Sequence, residues 1–125
     1  MLKQHANSIG YVELAYAVEN KITYSRIASS SGGFIYPSVG SANQAAKASN
    51  IPEDMCTMIT NASTGYPITG MTWLIVYQNS HQSAELKKFL KWVLTKGQHY
   101  TQDLYYASIP ENMVKREMKL IDSIQ

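Results

Sequence analysis

The chain has 125 residues, 45% of them hydrophobic and 16% charged, with a formal net charge of +2 and a single cysteine. That length suits one domain, able to bury about two-thirds of the surface its unfolded form would expose. The composition excludes a disordered chain, the small charge gives no reason to expect nucleic acid or an acidic membrane surface as a partner, and one cysteine excludes an intrachain disulfide.

Residues 1–8 carry neither the basic start nor the apolar stretch of a secretion signal, and no span approaches the ~20 apolar residues of a membrane helix. Ile9 to Val12 reads as a short strand, followed by a brief helix from Glu13 to Lys21 with Leu14, Ala17 and Val18 at helical spacing. Ile22 to Ile27 alternates and ends in Ser29-Ser30-Ser31-Gly32-Gly33, a turn that returns Phe34-Ile35-Tyr36 as the partner strand of a hairpin. The alanines of Ser41 to Ser49 favour a helix, which Pro52 closes. Met55, Met58 and Ile59 suggest one apolar helical turn, and Cys56 beside them reads as a small buried apolar residue.

The most informative run is Thr64 to Tyr77. Thr64-Gly65-Tyr66-Pro67 is a sharp turn, and Met71-Thr72-Trp73-Leu74-Ile75-Val76-Tyr77 behind it is a strand apolar on both faces. Such a strand needs a sheet whose faces are covered, the state of a central strand in an α/β domain, and few neighbours for it are on offer here. Next, Ser83 reads as an N-cap with Glu85 in the first turn, and Leu86, Phe89, Leu90, Val93 and Leu94 mark a helix that Gly97 stops. Ser108-Ile109-Pro110-Glu111 reads as a capping box opening a last helix that uses Met113, Val114, Ile121 and Ile124.

Catalytic chemistry is not visible. There is no Gly-x-Ser-x-Gly elbow, Walker loop or dinucleotide fingerprint, and His5, His81 and His99 lack a second ligand at metal spacing. The chain is therefore read as a non-enzyme with no catalytic residue, no metal site and no cofactor. Lys87, Lys88, Lys91 and Lys96 read as the solvated face of their helix. Two serine-glycine loops have backbone N–H groups suited to an anion, Ser29 to Gly33 and Ser38 to Ser41, but a hairpin turn and a helix cap are the simpler readings. Tyr11, Tyr66 and Tyr77 read as core or interface packing.

In order along the chain stand Ile9-Gly10-Tyr11-Val12-Glu13 with Tyr16-Ala17, then Asn43 with Ala45-Ala46-Lys47, then Tyr66-Pro67-Ile68-Thr69. Phe89-Leu90-Lys91-Trp92 with Gly97 follows, and Asp103-Leu104-Tyr105-Tyr106-Ala107-Ser108-Ile109-Pro110 ends the series. This ordered set resembles the C-terminal part of the phosphate-binding protein of bacterial ABC-type phosphate importers, the PstS type. The resemblance implies a type II periplasmic-binding-protein fold, with three-layer α/β/α lobes joined by two chain crossings and closing over the ligand. Residues 1–62 would then finish the second lobe. Residues 63–125 would cross back, through Tyr66 to Tyr77, and supply a strand and helices to the first.

For a complete protein the resemblance implies a periplasmic location, inorganic phosphate as ligand and a membrane-embedded ABC permease as partner. In that family the anion is held mainly upstream of the matched region, by a Ser-Gly-Thr stretch, an arginine and an aspartate. This chain has no Ser-Gly-Thr, and its arginines, Arg26 and Arg116, match no ligand motif. No phosphate-binding residue is assigned, and the chain reads as a fragment or shortened relative. Its incomplete sheet is expected to be completed by pairing with a second copy in a homodimer.

Overall fold

A computed structural model describes residues 4–54 and 56–125, and the helix-turn expectation at Met55 falls outside them. Helix α1 (Leu14–Glu19) is followed by β1 (Ile27–Ala28) and β2 (Phe34–Ile35), an antiparallel hairpin pairing Ile27 with Ile35 and Ala28 with Phe34. Helix α2 (Val39–Ala48) leads to β3 (Ile59–Thr60) and β4 (Ile68–Thr69), which also pair antiparallel. Helix α3 (Ser83–Leu94), a 3-10 segment (Lys96–Tyr100) and helix α4 (Glu111–Asp122) complete the order. Helices and small sheets alternate, as in an α/β chain, but each sheet among the described residues has two strands.

Two small cores hold these elements. Ala45 of α2, Ile51, Ile59 of β3, Ala62 and Met113 of α4 form the first, with Ala46, Met71 and Ile109 packed on it. A backbone hydrogen bond from Tyr66 N to Ser41 O (2.9 Å) lays the turn before β4 along α2. Gly65 is what permits this approach. Its φ is +76°, and a Cβ there would stand 2.2 Å from Ser41 O and 2.4 Å from Ala45 N. Arg116 on α4 donates to Ile51 O (3.0 Å) and to Pro52 O, fastening the loop after α2 to the last helix.

The second core is the α3/α4 contact, where Leu90, Ile121 and Ile124 are buried between Leu86 and Leu94. This is the helix stripe expected from spacing, and α4 likewise buries Met113 and Ile121. Lys91 Nζ reaches Asp122 Oδ1 (2.7 Å), and Lys87 Nζ donates to Asp122 O (3.1 Å). Gln98 bridges onward: its Nε2 donates to Val93 O and its Oε1 accepts from Ile109 N, both at 2.9 Å. Gln125 N donates to Gln78 O (2.7 Å) and Gln125 O accepts from Ser80 N (2.8 Å), a parallel-type bridge beside α3.

Several expectations are corrected. Ile59 lies in a strand, not a helical turn, because it pairs with Thr69. Cys56 is exposed, its N–H held by Asp54 Oδ1 at 3.0 Å in a polar loop. Ser108 does not cap α4: Pro110 occupies the N-cap, and Ser108 Oγ is instead hydrogen-bonded to Thr101 Oγ1 at 3.1 Å. Gln82, not Ser83, precedes the first residue of α3, and Gly97 lies inside the 3-10 segment. The glycine there serves close approach, since a Cβ would meet Trp92 O at 3.2 Å.

The largest departure concerns residues 9–12, expected to form a short strand, and residues 71–77, expected to form a strand apolar on both faces. Residues 9–12 and 71–77 enter no ladder. Ile9 is 94% exposed, Ile75 96% and Tyr77 87%, and Tyr11 is fully exposed. The expected packing of Tyr11 and Tyr77 is therefore not found, whereas Tyr66 is half-buried. The physical reason is the shortage of neighbours: the strands present are two residues long and already paired with each other.

Candidate functional site

In each of the two loops suited to an anion, several donors are used locally. In the first, Ser29 N–H donates to Gly33 O (3.0 Å) and Gly32 N–H to Ser29 O (3.0 Å), the hydrogen bonds of a hairpin turn. Ser29 Oγ meanwhile lies 3.0 Å from Ser31 Oγ. In the second, Ser38 caps α2 by accepting from Ser41 N (3.0 Å), while Ser41 Oγ accepts from Ser38 N (2.9 Å) in a reciprocal capping box. Ser41 Oγ also lies 2.8 Å from Tyr36 O, tying the helix start to the hairpin. These loops build structure.

The guanidiniums are likewise committed. Arg116 is spent on carbonyls of the loop after α2. Arg26 stands 5.9 Å from the ring centroid of Tyr36, a cation–π arrangement, with Tyr24 packed on the same ring at 5.3 Å. The hydrogen bond to Tyr36 is the main cause of a raised pKa at the Tyr24 phenol.

Two open surface concavities among the described residues have no lysine or arginine in their lining. One, about 360 Å³, runs along the end of α2 and is lined by Asn50, Thr57, Thr60, Asn61 and Ser63 among other uncharged residues. A second, about 290 Å³, is lined by Asn79, Ser80, His81 and Gln125. His5 and His99 are exposed and lie outside both. Among the described residues no group of three or more His, Cys, Asp or Glu could hold a metal ion.

One contact spans a long stretch of sequence. The Tyr106 hydroxyl donates to Glu13 Oε2 at 3.2 Å, linking the segment before α4 to the start of α1. The carboxylate's negative charge raises the pKa of that phenol. Sequence reasoning quoted both residues within the resemblance without pairing them, since nothing in the spacing of two residues so far apart signals a contact.

No family model matches the chain. Individual proteins do, and they belong to one class, binding proteins named for phosphate. The chain is 36% identical to the phosphate-binding protein PstS of Xylella fastidiosa over 92% of its own length and 34% of that relative. It is 32% identical to the phosphate-binding protein PstS of Methanocaldococcus jannaschii over its whole length and 37% of the relative. With that of Haemophilus influenzae the identity is 30%, over 90% of the chain and 36% of the relative. The chain thus belongs with the PstS-type phosphate-binding proteins, as the counterpart of one section of them. It spans about a third of the length of the curated relatives it matches.

Proposed function

We propose that this chain is a piece, or a shortened relative, of the solute-binding component of an ABC-type phosphate importer, and that the piece alone does not retain phosphate. The complete form would capture inorganic phosphate by lobe closure in the periplasm and pass it to a membrane permease. In that reading residues 1–62 finish one lobe and residues 63–125 cross back to the other. Homology across nearly the whole chain to about a third of each relative carries the proposal. The commitment of Ser38, Ser41, Arg26 and Arg116 to internal contacts supports its second half, since a desolvated anion needs donors that point at it. Calorimetric titration of the chain with inorganic phosphate is expected to give no one-to-one heat up to millimolar concentration. Binding at millimolar or tighter would overturn the claim that the anion site lies outside these residues.

A second reading is favoured by the exposed apolar run at residues 73–77: a free-standing relative that self-associates as an interaction module without ligand binding. Sedimentation decides between them. A dimer stable at micromolar concentration favours the second reading, and a monomer at high concentration removes it.

A further inference from the structure

Residues 101–106 form a tight turn with two adjacent tyrosines at its end. It closes on itself through backbone hydrogen bonds from Leu104 N to Thr101 O (3.2 Å), Tyr105 N to Gln102 O (3.1 Å) and Tyr106 N to Thr101 O (2.8 Å). Thr101 Oγ1 donates to Gln98 O (2.9 Å) and lies 3.1 Å from Ser108 Oγ, which braces the turn against the 3-10 segment on one side and the approach to α4 on the other. Within this braced loop Tyr105 has a φ of +60°, a left-handed backbone that a bulky residue adopts at a cost. Strain of that kind persists where the surroundings over-determine it, and it marks places where geometry matters.

Helix α1 stands opposite. It has six residues and one buried side chain, Ala17, which belongs to neither core. A helix so short does not persist in water on its own propensity, so its hold comes from contacts outside it. Tyr106 supplies one, since its hydroxyl donates to Glu13 Oε2 (3.2 Å) immediately before the first residue of α1. The electrostatics place the turn along the same region. The Glu13 charge is the main cause of the raised pKa at Tyr106 and the Glu19 charge a lesser one. At Tyr24, where the hydrogen bond with Tyr36 dominates, Tyr105 adds a small upward contribution.

We propose that the 101–106 turn is a clasp, which presents the Tyr106 hydroxyl to Glu13 and so holds α1 in one orientation against the C-terminal half of the chain. On the division proposed above, Glu13 and Tyr106 fall in different lobes, and the clasp would bridge them. Its action within this chain does not depend on that reading.

The test is amide hydrogen exchange read by mass spectrometry on the chain as it stands. The reporting amides are those of Ala17, Asn20, Lys21 and Ile22, which are hydrogen-bonded within and just after α1. Tyr106→Phe removes the hydroxyl and keeps the ring, and should speed their exchange about threefold, the scale of one exposed hydrogen bond to a charged group. Glu13→Ala deletes the acceptor without removing a helix cap, because the Glu13 side chain makes no capping hydrogen bond. In that background Tyr106→Phe should change nothing further, as expected of two groups acting through each other. Unchanged exchange in Tyr106→Phe overturns the proposal. So does an equal acceleration in both backgrounds, which would mean that the phenol acts on something other than Glu13, and so does an acceleration that extends equally over α3 and α4, which would mean general loosening. The exchange reads α1 and the phosphate titration reads the ligand, so the clasp and the phosphate reading can fail separately.

Discussion

The stretch from Ser38 to Thr69 and the stretch from Trp73 to Tyr77 are close in sequence with opposite surroundings. The first is modest in hydrophobicity, built largely from alanines, serines and three isoleucines, yet it contains most of the first core: Ala45 is fully buried and Gly65 is pressed onto α2. The second is the most apolar run in the chain, yet Ile75 and Tyr77 stand in solvent. Burial here follows the supply of partners. Ala45 has a glycine turn, β3 and α4 to lie against, whereas Leu74, Ile75 and Tyr77 are left largely exposed. Burying a large apolar side chain contributes about 1.5–3 kcal/mol, so the bare run represents a large stabilisation left unused.

The sharpest way to break the first region is Gly65→Ala. The added methyl meets Ser41 O and the α2 backbone, and the positive φ strains any L side chain, so unfolding stability should fall by about 3 kcal/mol or more. Loss of the cooperative urea transition, followed by circular dichroism, would report it. Leu90→Ala in the second core should cost about 2–3 kcal/mol, at the low end for a buried leucine because the cluster around it is small. A shift of the urea midpoint with unchanged slope is the expected signature.

A smaller effect concerns acid. The hydrogen bond and charge of Lys91 hold the Asp122 carboxyl below its usual pKa. A carboxylate favoured in the folded state stabilises it above the ordinary carboxylate range, and that contribution is lost as pH falls through the lowered folded value. Acidification should loosen the α3/α4 contact slightly, and Asp122→Asn should flatten this part of the stability profile. Because the pair is exposed, the change will be slight. Smallest of all is Ile75→Asp in the isolated chain, expected within about 0.5 kcal/mol of no change, with improved solubility. A large loss of stability from that substitution would mean that the Ile75 side chain packs against other residues of this chain.

Much of this was readable beforehand, for reasons that differ by element. Helix α3 follows from Leu86, Leu90 and Leu94, whose spacing holds whatever the tertiary context. The 28–34 hairpin follows from Gly32 and Gly33, both of which take positive φ. Strand β3 was missed because two residues are too short to show alternation, and its pairing with β4 depends on the chain reversal at Gly65. The false cap at Ser108 arose because the right residue types stood at the right spacing, while the hydroxyl had a nearer partner in Thr101. Cys56 looked buried from its sulfur-rich neighbourhood, yet the Asp54 turn keeps it at the surface. The family was legible from the ordered motifs. A ligand site was not, since the serines and arginines that drew notice serve caps, turns and loops.

Arg116 fastens Ile51 from 65 positions downstream, and Met113 completes the core around Ala45 from slightly farther still. On the ribosome, α2 and the β3/β4 hairpin therefore emerge well before the residues that seal them. During synthesis that half of the molecule waits with its isoleucines uncovered, open to proteases and chaperones until the final helix arrives.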